Sequence, residues 1–425
     1  MVALMIGDRS TSDVIVRIRT DEGRENWFYC HSKVLVEKSK YFAERLSEDW
    51  PTCQIIDSRN CIDVFCQEPD FNSHAVSLRL LYTKGPQKWH GVRNALGILQ
   101  VAIRLGCHQM AGSCREYLEA VPWEEADEEE ILKTIPNLGA PYQSIVARLQ
   151  PAVHDSLVRI FISAISFATS SPSLSLKELK SSTQEQLEYM LTEDDDPPLF
   201  TLDNELVRSS VKVGMRNLLR KFDGSIESIL AASTNMILES KSHEFLSHLC
   251  DISWVCQILG KMEMMKDLVH YWAGASENIL RAAEHVRKET DVEIKVVEVA
   301  SKVLETVGFG NVVLPTSDRI RMVKLWLPFV QRARGSIERD DVKCDDDEEE
   351  EEGVSPAKLD GEIWQGLESA FVSTILTLPS SDQAEIISDW LRSEYAGYPD
   401  LTEAFEFWCY RTKVARRRLA TSTFL

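Results

Sequence analysis

Residues 12–19, SDVIVRIR, and residues 26–30, NWFYC, decide the fold at the N-terminus. In the first stretch apolar and polar side chains alternate, so every second residue from Val14 to Ile18 faces the same way along an extended chain. The sequence DEG at 21–23 supplies a turn between the two stretches. The pattern predicts a β-hairpin with one apolar face.

Helical spacing replaces this alternation after the hairpin. Apolar residues recur three and four positions apart on either side of Ser39, a residue type that caps helix N-termini, so two short helices are expected there. Further strands are expected at residues 54–57 and 62–66, and further helices at residues 75–82, 92–105 and 108–118. The first 120 residues therefore predict an α+β domain, a small β-sheet with a cluster of short helices.

Beyond Pro122 the strand pattern nearly disappears and amphipathic helical windows follow one another. They are expected at residues 153–168, 174–191, 202–220, 225–238, 243–259, 264–286, 292–307, 318–334, 362–378, 381–395 and 401–419. Breakers such as Pro172 and Gly224 separate several of these windows. Because no repeat of fixed period is visible, the sequence predicts a mainly α-helical region of packed antiparallel helices rather than a named solenoid.

Negative charge is concentrated in three runs. With 47 basic and 67 acidic residues among 425, the chain has a formal net charge of −20, which repels nucleic acid and anionic membranes. Residues 124–130, 193–196 and 338–352 carry −6, −4 and −9 of it, so the rest of the chain is nearly neutral. Such segregated charge indicates solvated boundaries and linkers, with an interaction tail for a basic partner as the alternative.

These runs divide the chain into four expected parts. They are an N-terminal domain at 8–119, an all-helical domain at 120–335, an acidic disordered linker at 336–357 and a C-terminal helical segment at 358–425. The last part contains a basic tail, RTKVARRR at 411–418, with a charge of +5. A nuclear-import signal, a nucleic-acid patch and a cationic helix end that complements the helix dipole each explain this tail.

The sequence predicts no catalytic, metal or cofactor site, and therefore no enzyme. It contains neither a phosphate-binding glycine loop nor a nucleophile elbow. His243 and His248 would point about 140° apart on a helix, which prevents them from sharing a metal. Ten cysteines without a C-x-x-C pair indicate free thiols in a reducing cytoplasm or nucleus. No apolar stretch reaches the roughly 20 residues of a membrane span.

Blocks of the first 120 residues resemble the BTB/POZ domain in order and in spacing. The blocks are SDVIV at 12–16, FYCHSKVL at 28–35, SKYF at 39–42, LLYTKG at 80–85 and the apolar and cysteine positions between 98 and 118. The signature residues are Asp13, His31, Leu35, Ser39, Tyr41, Phe42, Leu81 and Tyr82. The resemblance implies a BTB fold over residues 8–119.

BTB domains, as this resemblance implies, form homodimers or heterodimers, and many bind the N-terminal region of a cullin scaffold. Cullin-binding relatives have an apolar residue, any residue and a glutamate after the SxYF helix, and Leu46-Ser47-Glu48 stands in a similar place. Leu46 fits a cullin groove and an intradomain core equally well. Relatives that bind transcriptional corepressors often have a basic residue directly after the histidine, where this chain has Ser32 and only then Lys33.

The whole chain is similar to a group of plant BTB/POZ proteins that combine the BTB domain with a long helical region. No kelch, zinc-finger, MATH or ankyrin pattern follows the BTB blocks. The resemblance implies a substrate-specific adaptor of a cullin-RING ubiquitin-protein ligase complex, in which the helical region recruits an unknown protein substrate. The alternative is a BTB dimerisation scaffold or transcriptional co-regulator that works outside a ligase.

Overall fold

The chain folds into two compact units, Met1–Pro151 and Ala152–Leu425, called the N-terminal unit and the helical unit below. The structure, a computed structural model, describes residues 4–48, 50, 54–83, 89–170, 174–192, 204–232, 235–286, 290–344, 360–394 and 397–422. A small N-terminal sheet with short helices, followed by helices alone, confirms the predicted fold class.

The N-terminal unit has a mixed sheet with helices packed against it. Its strands are β1 (Val14–Thr20), β2 (Glu25–Cys30), β3 (Gln54–Ile56) and β4 (Arg59–Cys66). Its α-helices are α1 (Ser32–Lys38), α2 (Lys40–Arg45), α3 (Phe71–Leu80), α4 (Val92–Arg104), α5 (His108–Ala120) and α6 (Glu125–Thr134). The strand order is β2-β1-β4-β3, in which β1 runs antiparallel to β2 and parallel to β4.

The predicted hairpin is present as β1 and β2, and its apolar face forms part of the core. Val14 pairs with Cys30, and Arg19 pairs with Glu25. The alternating residues from Val14 to Ile18 are buried in the same cluster as α4 and α5. The side-chain alternation in residues 12–19 therefore places β1 at the centre of this unit.

The N-terminal unit extends beyond the expected boundary at residue 119. Ile131 of α6, Ile135 after it, and Ile145 and Val146 in a following 3-10 turn are buried in the core of this unit. Burial of these apolar side chains fixes α6 to the core of the N-terminal unit. The boundary between the units lies at Pro151. The acidic run at 124–130, which was expected to mark the boundary, instead forms the start of α6 in the first unit.

The helical unit consists of α-helices of very different length. They are α7 (His154–Ala168), α8 (Lys177–Leu191), α9 (Glu205–Leu230), α10 (Asn235–Lys261), α11 (Lys266–His285), α12 (Thr290–Gly308), α13 (Thr316–Cys344), α14 (Gly361–Leu376), α15 (Ser380–Arg392) and α16 (Thr402–Ser422). One apolar core joins residues from α7 to α16. A stack of rings, Phe245, Phe222, Trp272 and Trp326, runs through this core with neighbouring centroids 5.2, 6.3 and 5.7 Å apart.

The predicted break at Gly224 does not occur. Helix α9 passes through Gly224 and ends at Leu230, so most of the window expected at 225–238 continues the preceding helix, and α10 starts at Asn235. Phe222, Ile226 and Ile229 lie on the buried face of α9, so this face continues past the glycine. A glycine inside a helix costs about 1 kcal/mol relative to alanine, and burial of these side chains outweighs that.

The C-terminal helices share the core of the helical unit rather than forming a separate segment from residue 358. Leu367, Phe371 and Ile375 of α14 are fully buried with residues of α12 in one cluster. Residues 336–344 of the acidic linker expected at 336–357 are helical, because α13 continues to Cys344. Residues 345–357 of that expected linker lie outside the described residues.

Candidate protein-interaction site

The Tyr82 hydroxyl connects the end of β2 with the turn that follows α3. It accepts a hydrogen bond from the backbone nitrogen of His31 at 2.7 Å and also lies against the Cys30 thiol. Burial raises the pKa of Cys30 to about 12 and raises the pKa of Tyr82 as well, so both groups stay protonated at neutral pH. The His31 ring is buried, with Nε2 2.9 Å from the Thr11 hydroxyl. These signature residues hold the fold together.

Asp13 binds the start of α1. Its carboxylate accepts hydrogen bonds from the backbone nitrogen of Ser32 at 2.8 Å and from the Ser32 hydroxyl. A carboxylate in this place stabilises a helix N-terminus. Lys33 is exposed, and Asp13 forms no ion pair with any residue that the structure describes. Asp13 therefore caps α1 instead of pairing with a basic side chain among the described residues.

The N-terminus of α2 is joined to the C-terminus of α4. Ser39 caps α2 by accepting a hydrogen bond from the Phe42 nitrogen and donates one from its hydroxyl to the Leu105 carbonyl. The backbone nitrogens of Lys40 and Tyr41 donate to the Gly106 and Leu105 carbonyls, each at 3.2 Å. Free N–H groups of one helix thus satisfy free carbonyls of another. This exchange fixes the direction in which α2 leaves the core.

The remaining signature residues are buried or half-buried around α2. Leu35 and Phe42 are fully buried, and Leu81 is buried with its carbonyl accepting a hydrogen bond from the Lys38 ammonium group. Tyr41 is half-buried, and its hydroxyl donates to the Asp63 carbonyl at 3.3 Å. These contacts bury the start of α2 and leave its C-terminal end at the surface.

That end is formed by Arg45, Leu46, Glu48 and Trp50 and is called the α2 end below. The Arg45 guanidinium lies between two rings, with Cζ 3.5 Å from the Tyr41 ring centroid and 4.7 Å from that of Trp50. Leu46 is half-buried against the core, so part of its side chain serves the domain itself. Glu48 is exposed and has no ion pair or hydrogen bond to a described residue, and the Trp50 side chain is 42% exposed.

Sequence reasoning found Leu46 and Glu48 but missed Arg45 and Trp50. The spacing of Tyr41 and Arg45, four residues apart on a helix, is a signal for their contact. No periodic pattern pointed to Trp50, because it lies beyond the helix and reaches Arg45 only after the chain turns at Ser47. The stacking on Arg45 holds the Trp50 ring against the end of α2.

The chain was also compared with known proteins. No family model matches it. A BTB/POZ domain-containing protein of Arabidopsis thaliana is 50% identical over 422 residues, which are 97% of this chain and 94% of that relative. The chain belongs to the plant BTB/POZ domain-containing proteins.

Two further BTB/POZ domain-containing proteins of Arabidopsis thaliana match more weakly. One is 24% identical over 423 residues, with 97% of this chain and 74% of the relative covered. Another is 21% identical over 430 residues, with 94% and 76% covered. Each match spans both units of this BTB/POZ protein, so the similarity to these relatives includes the helical unit as well as the N-terminal unit.

Neither a membrane span nor a metal site stands out in the described part of this BTB/POZ protein. None of its described helices combines the length and the apolar character needed to cross a bilayer. Across the same residues, no three histidine, cysteine, aspartate or glutamate side chains are grouped so that they could hold a metal ion.

Proposed function

We propose that this BTB/POZ protein is a substrate-specific adaptor of a cullin-RING ubiquitin-protein ligase complex. In this role the N-terminal unit dimerises, with a second copy or a relative, and binds a cullin of the BTB-binding class. The helical unit recruits the protein substrate. The adaptor supplies no catalytic residue of its own and works in the cytoplasm, in the nucleus or in both, without a membrane or nucleic-acid partner.

The α2 end is the observation that supports cullin binding. It combines a half-exposed apolar side chain, Leu46, with an exposed indole, Trp50, and an unpaired carboxylate, Glu48. Aromatic anchors beside a polar rim are typical of protein interfaces. Stacking of Arg45 between two rings holds the segment in place before a partner arrives, which lowers the entropy lost on binding.

Binding of the purified N-terminal region of a BTB-binding cullin to the full chain tests this proposal. Glu48→Lys and Trp50→Ala are each expected to weaken binding by roughly tenfold or more, since they change exposed groups at the centre of the site. The matched control is Glu37→Lys, which makes the same charge change at an exposed position of α1. Its affinity should stay within about twofold of wild type.

Absence of cullin binding by the wild-type chain would reject the adaptor role. Equal loss of affinity in Glu48→Lys and Glu37→Lys would reject the α2 end as the contact. Light scattering of the full chain reports dimerisation separately. A dimer without cullin affinity would favour the alternative function, a dimerisation scaffold, although the Asp13–Ser32 cap argues against its corepressor-binding form.

A further inference from the structure

A cavity of about 650 Å³ lies between α7 and α9 of the helical unit. The two helices run in the same direction, because the side chains of Asn204 and His154 meet near their N-termini and Gly214 meets Thr169 further along. A Cβ on Gly214 would lie 2.8 Å from the Thr169 hydroxyl. The missing side chain of Gly214 thus leaves room for the Thr169 side chain, and both residues line the groove.

The walls of this groove differ in chemistry along its length. Ile162 and Ile165 of α7 and Val213 of α9 give it an apolar part, and the Val213 side chain is 47% exposed. Arg220 and Lys221 of α9 line its cationic part. Serine residues also line the groove, including Ser166 of α7, Ser170 just after it and Ser210 of α9. Such a groove fits an apolar side chain next to a negative charge.

The charge of α9 is unusual for this chain. Residues 205–221 contain five basic residues and one acidic residue, in a protein whose net charge is −20. Lys212, Arg216 and Arg220 are exposed, and the structure shows no ion pair for any of them within its described residues. Like charges four residues apart on a helix destabilise it by a few tenths of a kcal/mol per pair. The stability of α9 therefore does not explain these cations, whereas attraction of an anionic partner does.

We propose that the groove between α7 and α9 binds an acidic peptide segment that carries an apolar side chain. The apolar side chain occupies the part lined by Ile162 and Val213, and the carboxylates face Arg220 and Lys221, which line the cationic part. Nucleic acid and anionic membranes fit less well, because the groove has an apolar part and only Arg220 and Lys221 as lining cations, which gives a phosphate backbone few contacts. The inference rests on the proposed function only in identifying the peptide as part of a ligase substrate.

Fluorescence anisotropy with the full chain and a labelled acidic peptide, with leucine and phenylalanine at its centre, tests the proposal. Arg216→Glu combined with Arg220→Glu should weaken binding by about tenfold or more, and Val213→Gln by several-fold. Val213 and Arg220 line the groove, and Arg216 is exposed one turn before Arg220 on the same helix. The matched control combines Lys266→Glu with Arg281→Glu on α11, where both cations are exposed. It makes a charge change of the same size and should stay within about twofold of wild type.

Three results with the peptides would overturn the proposal. They are no binding by wild type, equal weakening by the α9 and α11 pairs of substitutions, and equal affinity for a peptide in which serine replaces the leucine and phenylalanine. A single-stranded oligonucleotide that binds as tightly as the acidic peptide would also overturn it. The assay contains no cullin, so loss of peptide binding and loss of cullin binding identify failure of this inference and of the proposed function separately.

Discussion

The hydroxyl of Tyr82 lies 2.7 Å from the backbone nitrogen of His31 and accepts its hydrogen bond. His31 is 4% exposed, so water does not readily replace the lost acceptor when the hydroxyl is removed. Tyr82→Phe should therefore lower the free energy of unfolding of the N-terminal unit by about 1 to 3 kcal/mol, as measured by urea titration. Tyr142→Phe is the control, because the Tyr142 hydroxyl bonds to no described residue, and a change below about 0.5 kcal/mol is expected.

Gly106 is required where α4 ends against α2. Its φ of +63° is in the left-handed region, and a Cβ there would lie 2.7 Å from the Cβ of Lys40. Gly106→Ala should destabilise the N-terminal unit by about 2 kcal/mol or more, since strain and collision act together. Gly112→Ala in α5 has nothing within 4 Å of the new methyl group and should stabilise by about 0.5 to 1 kcal/mol. Thermal unfolding followed by circular dichroism compares the two, and similar melting temperatures would contradict this account.

Much of the fold follows from local patterns, and the rest depends on contacts between distant residues. Alternation in residues 12–19 fixed the buried face of β1, and Ser39 marked the start of α2. The parallel pairing of β1 with β4 could not be predicted, because alternation specifies a face and not a partner strand. The wrong prediction of a helix break at Gly224 has a related cause. The low helix propensity of glycine can be read from the sequence, but the burial of the neighbouring side chains of α9 that outweighs it cannot.

The candidate site was likewise predictable from the sequence only in part. The order of the BTB blocks predicted the position of Leu46 and Glu48, and the structure places both at the end of α2. The role of Arg45 depends on its contact with Trp50 across a turn, which residue types alone do not specify. The groove between α7 and α9 was missed because serine and valine at helical spacing look like any half-buried helix face.

Gly308, the last residue of α12, allows α14 to approach closely. A Cβ on Gly308 would lie 2.8 Å from the Ala370 carbonyl oxygen and 2.9 Å from its Cα. Because these are backbone atoms of a packed helix, Gly308→Ala should lower the unfolding free energy of the helical unit by about 2 kcal/mol or more. Gly224→Ala, with open space around the new methyl group in α9, should stabilise this unit by about 0.5 to 1 kcal/mol.

Urea titration and limited proteolysis of the full chain test this prediction together. In Gly308→Ala, α14 should become accessible to protease at lower urea than in wild type, because its docking onto α12 is weakened. If the variant is as stable as wild type, α14 is not held against α12 as the structure shows. Such a result would favour the original prediction that residues 358–425 form a separate helical segment.

Glu298 of α12 is the centre of a charged network that faces α10. Its carboxylate accepts hydrogen bonds from Lys295 at 2.5 Å, from Lys302 at 3.1 Å and from the Ser253 hydroxyl. Burial acts to raise the pKa of Glu298, but these donors and the two positive charges outweigh it and lower the pKa to about 2. Since the ordinary value is 4.5, folding favours the ionised carboxylate.

The stabilisation by Glu298 should therefore be complete above about pH 5 and be lost as the pH falls toward 2. Glu298→Gln should lower the unfolding free energy by about 3 kcal/mol at pH 7, and the difference from wild type should shrink steadily below pH 4.5. Glu227→Gln, at an exposed position of α9, should differ from wild type by less than about 0.5 kcal/mol throughout. Urea titrations at pH 7, 5, 4 and 3 measure these differences. A deficit in Glu298→Gln that stays constant with pH would show that loss of packing, rather than loss of the carboxylate charge, destabilises the variant.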